Sequence, residues 1–151
     1  MLESEARLEE TLGLVRGRGF RITTARRAVL QALVLGGSHM TAEDLAAMVQ
    51  KSHPDIHLST IYRTLESMEE IDIVDHVHLG HGRAVYHLTT DTHQHLVCEV
   101  CGSVIETPSR TFEQLAIELR SAYGFELRTH HFAVLGRCKI CSTGATPPAN
   151  P

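Results

Sequence analysis

Four cysteines fall into two identically spaced pairs, Cys98-Glu99-Val100-Cys101 and Cys138-Lys139-Ile140-Cys141. A C-x2-C turn offers two thiolates to one ion, and two such turns complete a tetrahedral structural zinc site. The pairs stand further apart than in a zinc ribbon, because a whole predicted helix lies between them. Buried free cysteines and a redox dithiol are the plainer readings of the same residues. The shared spacing and the acidic, non-apolar start of the chain from Met1 to Glu10 favour metal over a disulfide.

Histidine is the compositional outlier, with 11 in 151 residues and eight of them between His76 and His131. His76 and His78 stand two apart in a predicted strand and so share a face. His93 and His95 repeat that spacing beside the first cysteine pair, and His130-His131 forms a third cluster. A lone histidine is usually structural or solvated. Two same-face pairs and a third cluster are hard to dismiss in that way, and neutral imidazole is a common ligand of transition metals.

These side chains need elements to hold them. Leu8, Leu12 and Val15 mark a helix over Ser4–Arg16. Thr23 caps a second helix with Val29, Leu30, Leu33 and Val34 inward, stopped at Gly36-Gly37. Thr41 and Asp44 form a capping box for a third, with Leu45, Met48 and Val49 inward. Ser59 caps a fourth, carrying Ile61, Leu65 and Met68 inward. Beyond Ile71 the pattern becomes stranded: Ile73–Leu79 and Ala84–Leu88 flank a glycine-rich turn and predict a hairpin. Strands then follow over His95–Cys98 and Ser103–Thr107. Ser109 caps a last long helix with Phe112, Leu115, Ala116 and Leu119 inward, and Phe125–Leu135 is a final strand region.

The implied fold class is α+β: an N-terminal winged helix-turn-helix over residues 1–88, a hinge over 89–92, a C-terminal α/β dimerisation domain over 93–142, and a disordered tail over 143–151. Helices followed by a hairpin are the winged helix-turn-helix pattern, and its recognition helix presents outward N-terminal residues to base edges. On the fourth helix these are Ser59, Thr60, Tyr62 and Arg63. Net charge is −4, yet Arg16, Arg18, Arg21, Arg26 and Arg27 cluster without an intervening acid. Local patches of this kind, Arg21 included, attract phosphate. No run of 18 apolar residues is present, so no membrane span is expected, and the N-terminal stretch predicts a cytoplasmic protein.

Thr23-Thr24-Ala25-Arg26-Arg27, Ser59-Thr60-Ile61-Tyr62-Arg63-Thr64-Leu65, His93-Gln94-His95-Leu96-Val97-Cys98-Glu99-Val100-Cys101-Gly102 and the second cysteine pair resemble the ferric uptake regulator family over about residues 8 to 142. The resemblance implies a homodimer that represses transcription from operator DNA when its sensed metal is bound. It also implies an interdomain regulatory site of His39, His87, His93, His95 and Glu106. His87 stands where iron and peroxide sensors usually carry a carboxylate, which shifts the site toward nitrogen ligands and so toward nickel, zinc or cobalt.

A narrower resemblance, carried by Asp75-His76-Val77-His78-Leu79-Gly80-His81-Gly82, Tyr86-His87-Leu88 and His131 to Cys138, is to the nickel-responsive Nur-type branch. It implies regulatory nickel on His76, His78 and His131. Thr92, beside Asp91, departs from that branch, where a further histidine is common. Iron, zinc and manganese are the alternative regulatory ions, and an iron-, zinc- or peroxide-sensing regulator the alternative function. From outside the family, a zinc metalloenzyme or metal-buffering protein is the rival. No H-E-x-x-H or deaminase-type sequence occurs, so no enzyme and no small-molecule substrate is expected.

Overall fold

The computed structural model describes residues 2–37, 39–79, 82, 84–127 and 132–144. It divides into two compact units, Met1–His76 with Ala84–Asp91, and Val77–Arg83 with Thr92–Pro151. The expected tail falls, from residue 145 onward, outside the described residues.

The first unit packs four helices on a hairpin. Helix α1 (Leu2–Gly17) buries Leu8, Leu12 and Val15, one stripe at helical spacing. Helix α2 (Thr24–Gly36) starts where the Thr23 side chain accepts the Arg26 amide at 3.2 Å. Helix α3 (Ala42–Val49) carries the reciprocal Thr41–Asp44 capping box. Its loop to the next helix is closed by Gln50 Nε2 donating to the carbonyl of buried Ile56 at 3.0 Å.

Helix α4 (Leu58–Glu70) buries Ile61, Thr64, Leu65 and Met68. Its N-cap is His57, not Ser59, and no side chain caps it. Ser59 is thereby an exposed residue of the first turn. Strands β1 (Val74–His78) and β2 (Ala84–Leu88) form a two-stranded sheet. Ile73, Val74, Tyr86 and Leu88 join the helical core. Leu12, Leu30, Leu45, Ile61 and Leu65 are each 0% exposed, and truncating one to Ala would cost about 2–5 kcal/mol. Helices α2 to α4 with the hairpin are a winged helix.

The second unit is a three-stranded sheet in the order β4-β3-β5 with one long helix. Strand β3 (His93–Cys98) pairs antiparallel with β4 (Val104–Pro108) and parallel with β5 (Ala133–Gly136). A 3-10 turn over Ser109–Phe112 precedes α5 (Glu113–Tyr123), so the expected Ser109 cap is absent and the N-cap is Phe112. Gly124 ends α5 at φ 63°, donating to Arg120, while Phe125 reaches back to Leu119. This left-handed closure suits glycine. A short helix, α6 (Lys139–Ser142), follows.

No residue of α5 is buried, contrary to the inward face expected for it. Leu115 and Ile117 are 43% and 61% exposed. Of the expected inward face, Phe112, Ala116 and Leu119 are half-buried, with Phe112 against the Phe132 ring, while Leu115 is left exposed by the described residues.

Candidate metal centres and DNA-reading face

Cys98 ends β3, Cys101 closes the turn behind it, and Cys138 and Cys141 open α6. One Sγ from each lies within 4.8 Å of the others, with Cys101 and Cys138 at 3.8 Å. Zinc–sulfur bonds of about 2.3 Å in a tetrahedron place sulfurs about 3.8 Å apart, so the residues fit zinc. Local backbone builds the cradle. The Gly102 amide returns to the Cys98 carbonyl at 2.8 Å, with Gly102 at φ 72°, and Glu99 donates to Gly136 on β5.

The thiols are electrostatically unequal. Backbone amides of Cys138, Cys101 and Val100 hold Cys98 down to about 6, against desolvation. Cys138 is lowered mainly by the amide of Cys141. Cys141 is pushed up to about 12 by desolvation and by its three thiol neighbours. Four adjacent thiols thus resist ionising together, and a dication removes that conflict.

Two histidine pairs stand one in each unit. In the first, His39 follows α2 at φ 75°, and the rings of His39 and His87 lie edge to face with centroids 5.3 Å apart. In the second, the rings of His93 and His95 meet at 4.8 Å. His87 and His95 are 1% and 0% exposed. Glu106 registers opposite His95 on β4, which puts it on the same sheet face.

His76 and His78 are both exposed on β1. His131 lies outside the described residues, so the nickel triad His76, His78 and His131 is not seen as a set. The structure brings other partners to His76. Its Nδ1 meets the Glu69 carboxylate, its amide donates to Asp75 Oδ1 at 2.8 Å, and its ring packs against Tyr86 at 5.8 Å. Glu69, Asp75 and His76 offer donor atoms within 4.8 Å of one another. Sequence reasoning missed both as partners of His76: Glu69 is brought across only by the turn after α4, and Asp75, its neighbour on β1, gave no spacing signal. The same surroundings push the Tyr86 phenol up to about 12, chiefly by burial and then by Glu69.

On α4, Ser59, Tyr62 and Arg63 are exposed and Thr60 is half-buried. The Tyr62 hydroxyl donates to Glu43 of α3 at 3.2 Å. Most of the arginine cluster is engaged within the fold. Arg26 bonds the Arg21 carbonyl and Ser67 and lies over the Phe20 ring. Arg16 and Arg27 share Glu9, and Arg18 reaches the Ile71 carbonyl. The Arg21 side chain is exposed.

A winged helix joined to an α/β unit rich in metal-type ligands defines a metal-dependent transcription regulator. The family profile "Ferric uptake regulator family" matches residues 17–135, and the chain belongs to that family. A peroxide-responsive repressor of Staphylococcus aureus is 28% identical over 137 residues, covering 91% of this chain and 93% of its own. The ferric uptake regulator of Pseudomonas aeruginosa with manganese superposes with TM-score 0.69 at 31% identity, covering 83% and 95%. A zinc uptake regulator complexed with zinc and DNA gives 0.61 at 25% identity, covering 93% and 96%. Members are transcription regulators rather than enzymes. No described helix is long and apolar enough to cross a membrane.

Proposed function

We propose that this protein is a homodimeric repressor that binds operator DNA when regulatory nickel is bound, with zinc on Cys98, Cys101, Cys138 and Cys141 as a structural staple. The single observation that carries the reading is the pairing of a half-buried with a buried imidazole in each unit, His39 with His87 and His93 with His95. With His87 in a carboxylate's usual place, the set is nitrogen-rich and suits a borderline ion better than iron or manganese.

In this reading His39 and His87 belong to residues 1–88, and His93, His95 and Glu106 to residues 93–142, across a hinge at 89–92. Ligands drawn from both sides hold one arrangement of the two recognition helices in the dimer. His76, His78 and His131 are the nickel-specific set. The bound ion supplies only differential affinity between arrangements. About 3 kcal/mol of it changes operator occupancy on the order of 100-fold. Ser59, Thr60, Tyr62 and Arg63 read the groove, with Arg21 on phosphate.

The test is to titrate protein carrying only its structural zinc with nickel, zinc, iron(II) and manganese while following operator binding. Nickel activating at the lowest free concentration within its physiological range supports the reading. Activation by another ion alone overturns the nickel assignment. Affinity by itself does not discriminate, since the Irving–Williams order favours nickel and zinc over iron and manganese at almost any such site. The similarity to a peroxide-responsive repressor favours a second reading, in which the same histidines would hold iron and peroxide would supply the oxygen and the oxidising equivalents that modify a histidine ligand. Peroxide-dependent loss of DNA binding with a 16 Da mass gain on a histidine-containing peptide is its signature.

A further inference from the structure

We propose that Glu69 is the positioning residue for His76, and the route by which a metal ion on His76 is felt by the recognition helix. The inference rests on the reading of His76 as a metal ligand.

An ionised carboxylate only accepts hydrogen bonds, so the imidazole nitrogen facing Glu69 carries the proton. That nitrogen is Nδ1. In the neutral ring the lone pair then lies on Nε2, across the ring from Glu69. A ligating histidine whose other N–H is held by a carboxylate has its tautomer and orientation fixed and its basicity raised. Two further contacts pin the same residue. Asp75, buried at 7% exposure, accepts the His76 amide, and the Tyr86 ring packs on the imidazole. The His76 side chain is still 41% exposed, which leaves it accessible to an ion.

Glu69 sits in the last turn of α4, while His76 is on β1. A metal on Nε2 makes Nδ1–H a stronger donor and tightens the bond to Glu69. Metal binding therefore stiffens the link between the wing strand and the recognition helix inside one unit. This adds a short-range route to whatever the hinge contributes.

The experiment uses the full chain with structural zinc retained, as wild type, Glu69→Ala, Glu69→Gln and His76→Ala, each checked for native far-UV circular dichroism. Ring nitrogen-15 shifts at pH 8, without nickel, should show the Nδ1–H tautomer of His76 in wild type and a shift toward Nε2–H in Glu69→Ala. Nickel affinity, measured by competition with a chelator, should fall roughly 10–100-fold in Glu69→Ala, with partial rescue in Glu69→Gln, whose amide oxygen still accepts. At saturating nickel, Glu69→Ala should show a smaller gain in operator affinity than wild type. Unchanged tautomer and nickel affinity within about twofold in Glu69→Ala, with nickel binding lost in His76→Ala, overturn the role of Glu69 alone. Full nickel-dependent DNA binding in His76→Ala overturns the ligand reading, and the metal role of Glu69 with it, even where the tautomer shifts as expected.

Discussion

Met40 and Tyr86 form an isolated antiparallel bridge, with the Tyr86 amide donating to the Met40 carbonyl at 2.9 Å. In antiparallel register the residue before Met40 stands opposite the residue after Tyr86, so the bridge sets His39 beside His87. The arrangement carries a backbone cost, because His39 is held at φ 75°. A side chain in the left-handed region costs about 1–2 kcal/mol that glycine avoids.

His39→Gly and His39→Ala therefore separate ligand from scaffold. Both should abolish metal-dependent operator binding if His39 is a ligand. In the metal-free state His39→Gly should be about 1 kcal/mol more stable than His39→Ala in urea unfolding. Equal stability would mean that the bridge does not hold the left-handed turn in solution.

Ultraviolet titration of thiolates in zinc-free protein should reveal the unequal cysteines. Cys98 is depressed, so its contribution to stability is full above the unfolded value of 9.0 and is lost as pH falls through about 6. Cys141 is raised, so its contribution is full below 9.0 and is lost as pH rises through about 12. One thiolate should form near pH 6 and another should resist ionisation well above pH 9. Zinc should erase both steps, since coordinated sulfur is already deprotonated. Four thiols titrating together near 9 would argue that the cradle does not form without metal.

The helical half was legible because its signals are local. Leu8, Leu12 and Val15 repeat within one helix, and the Thr23 and Thr41 caps act over three residues. The two cysteine pairs were equally legible, since each spans one turn. The start of α4 was misplaced because Ser59 resembles a cap while His57 supplies the extended backbone without any side-chain bond. The α5 start was misplaced for a similar reason, with a 3-10 turn inserted before it. Glu69 and Asp75 were illegible as partners of His76. Glu69 reaches His76 only through the turn at Asp72, whose φ of 57° no periodicity encodes, and the Asp75 contact is a local side-chain-to-backbone bond that residue type alone does not reveal.

The uncovered face of α5 should be a dimer surface. Burying a large aliphatic side chain is worth about 1.5–3 kcal/mol, and a two-fold interface counts each residue twice. Ile117→Glu should raise the dimer dissociation constant on the order of 100-fold, read by sedimentation. The far-UV spectrum should hold, because Ile117 is exposed in the single chain. A variant that stays dimeric at micromolar concentration would place the interface elsewhere.

Two arginines with different contacts should fail differently. Arg26 holds the Arg21 carbonyl at 2.6 Å and Ser67 at 3.2 Å, tying the start of α2 to α4. Removing it should cost about 1–2 kcal/mol of stability, at roughly 1 kcal/mol per lost bond, and should disturb DNA binding only through the fold. Arg63 is exposed on α4. Arg63→Ala should leave unfolding unchanged and weaken operator binding by about 1–3 kcal/mol. Salt then distinguishes its partner. On a phosphate, its loss lowers the slope of log affinity against log salt by about 1 and affects all sequences alike. On a guanine edge, its loss instead relaxes preference at one base pair. An Arg63→Ala variant with wild-type operator affinity and slope would remove α4 from the reading face.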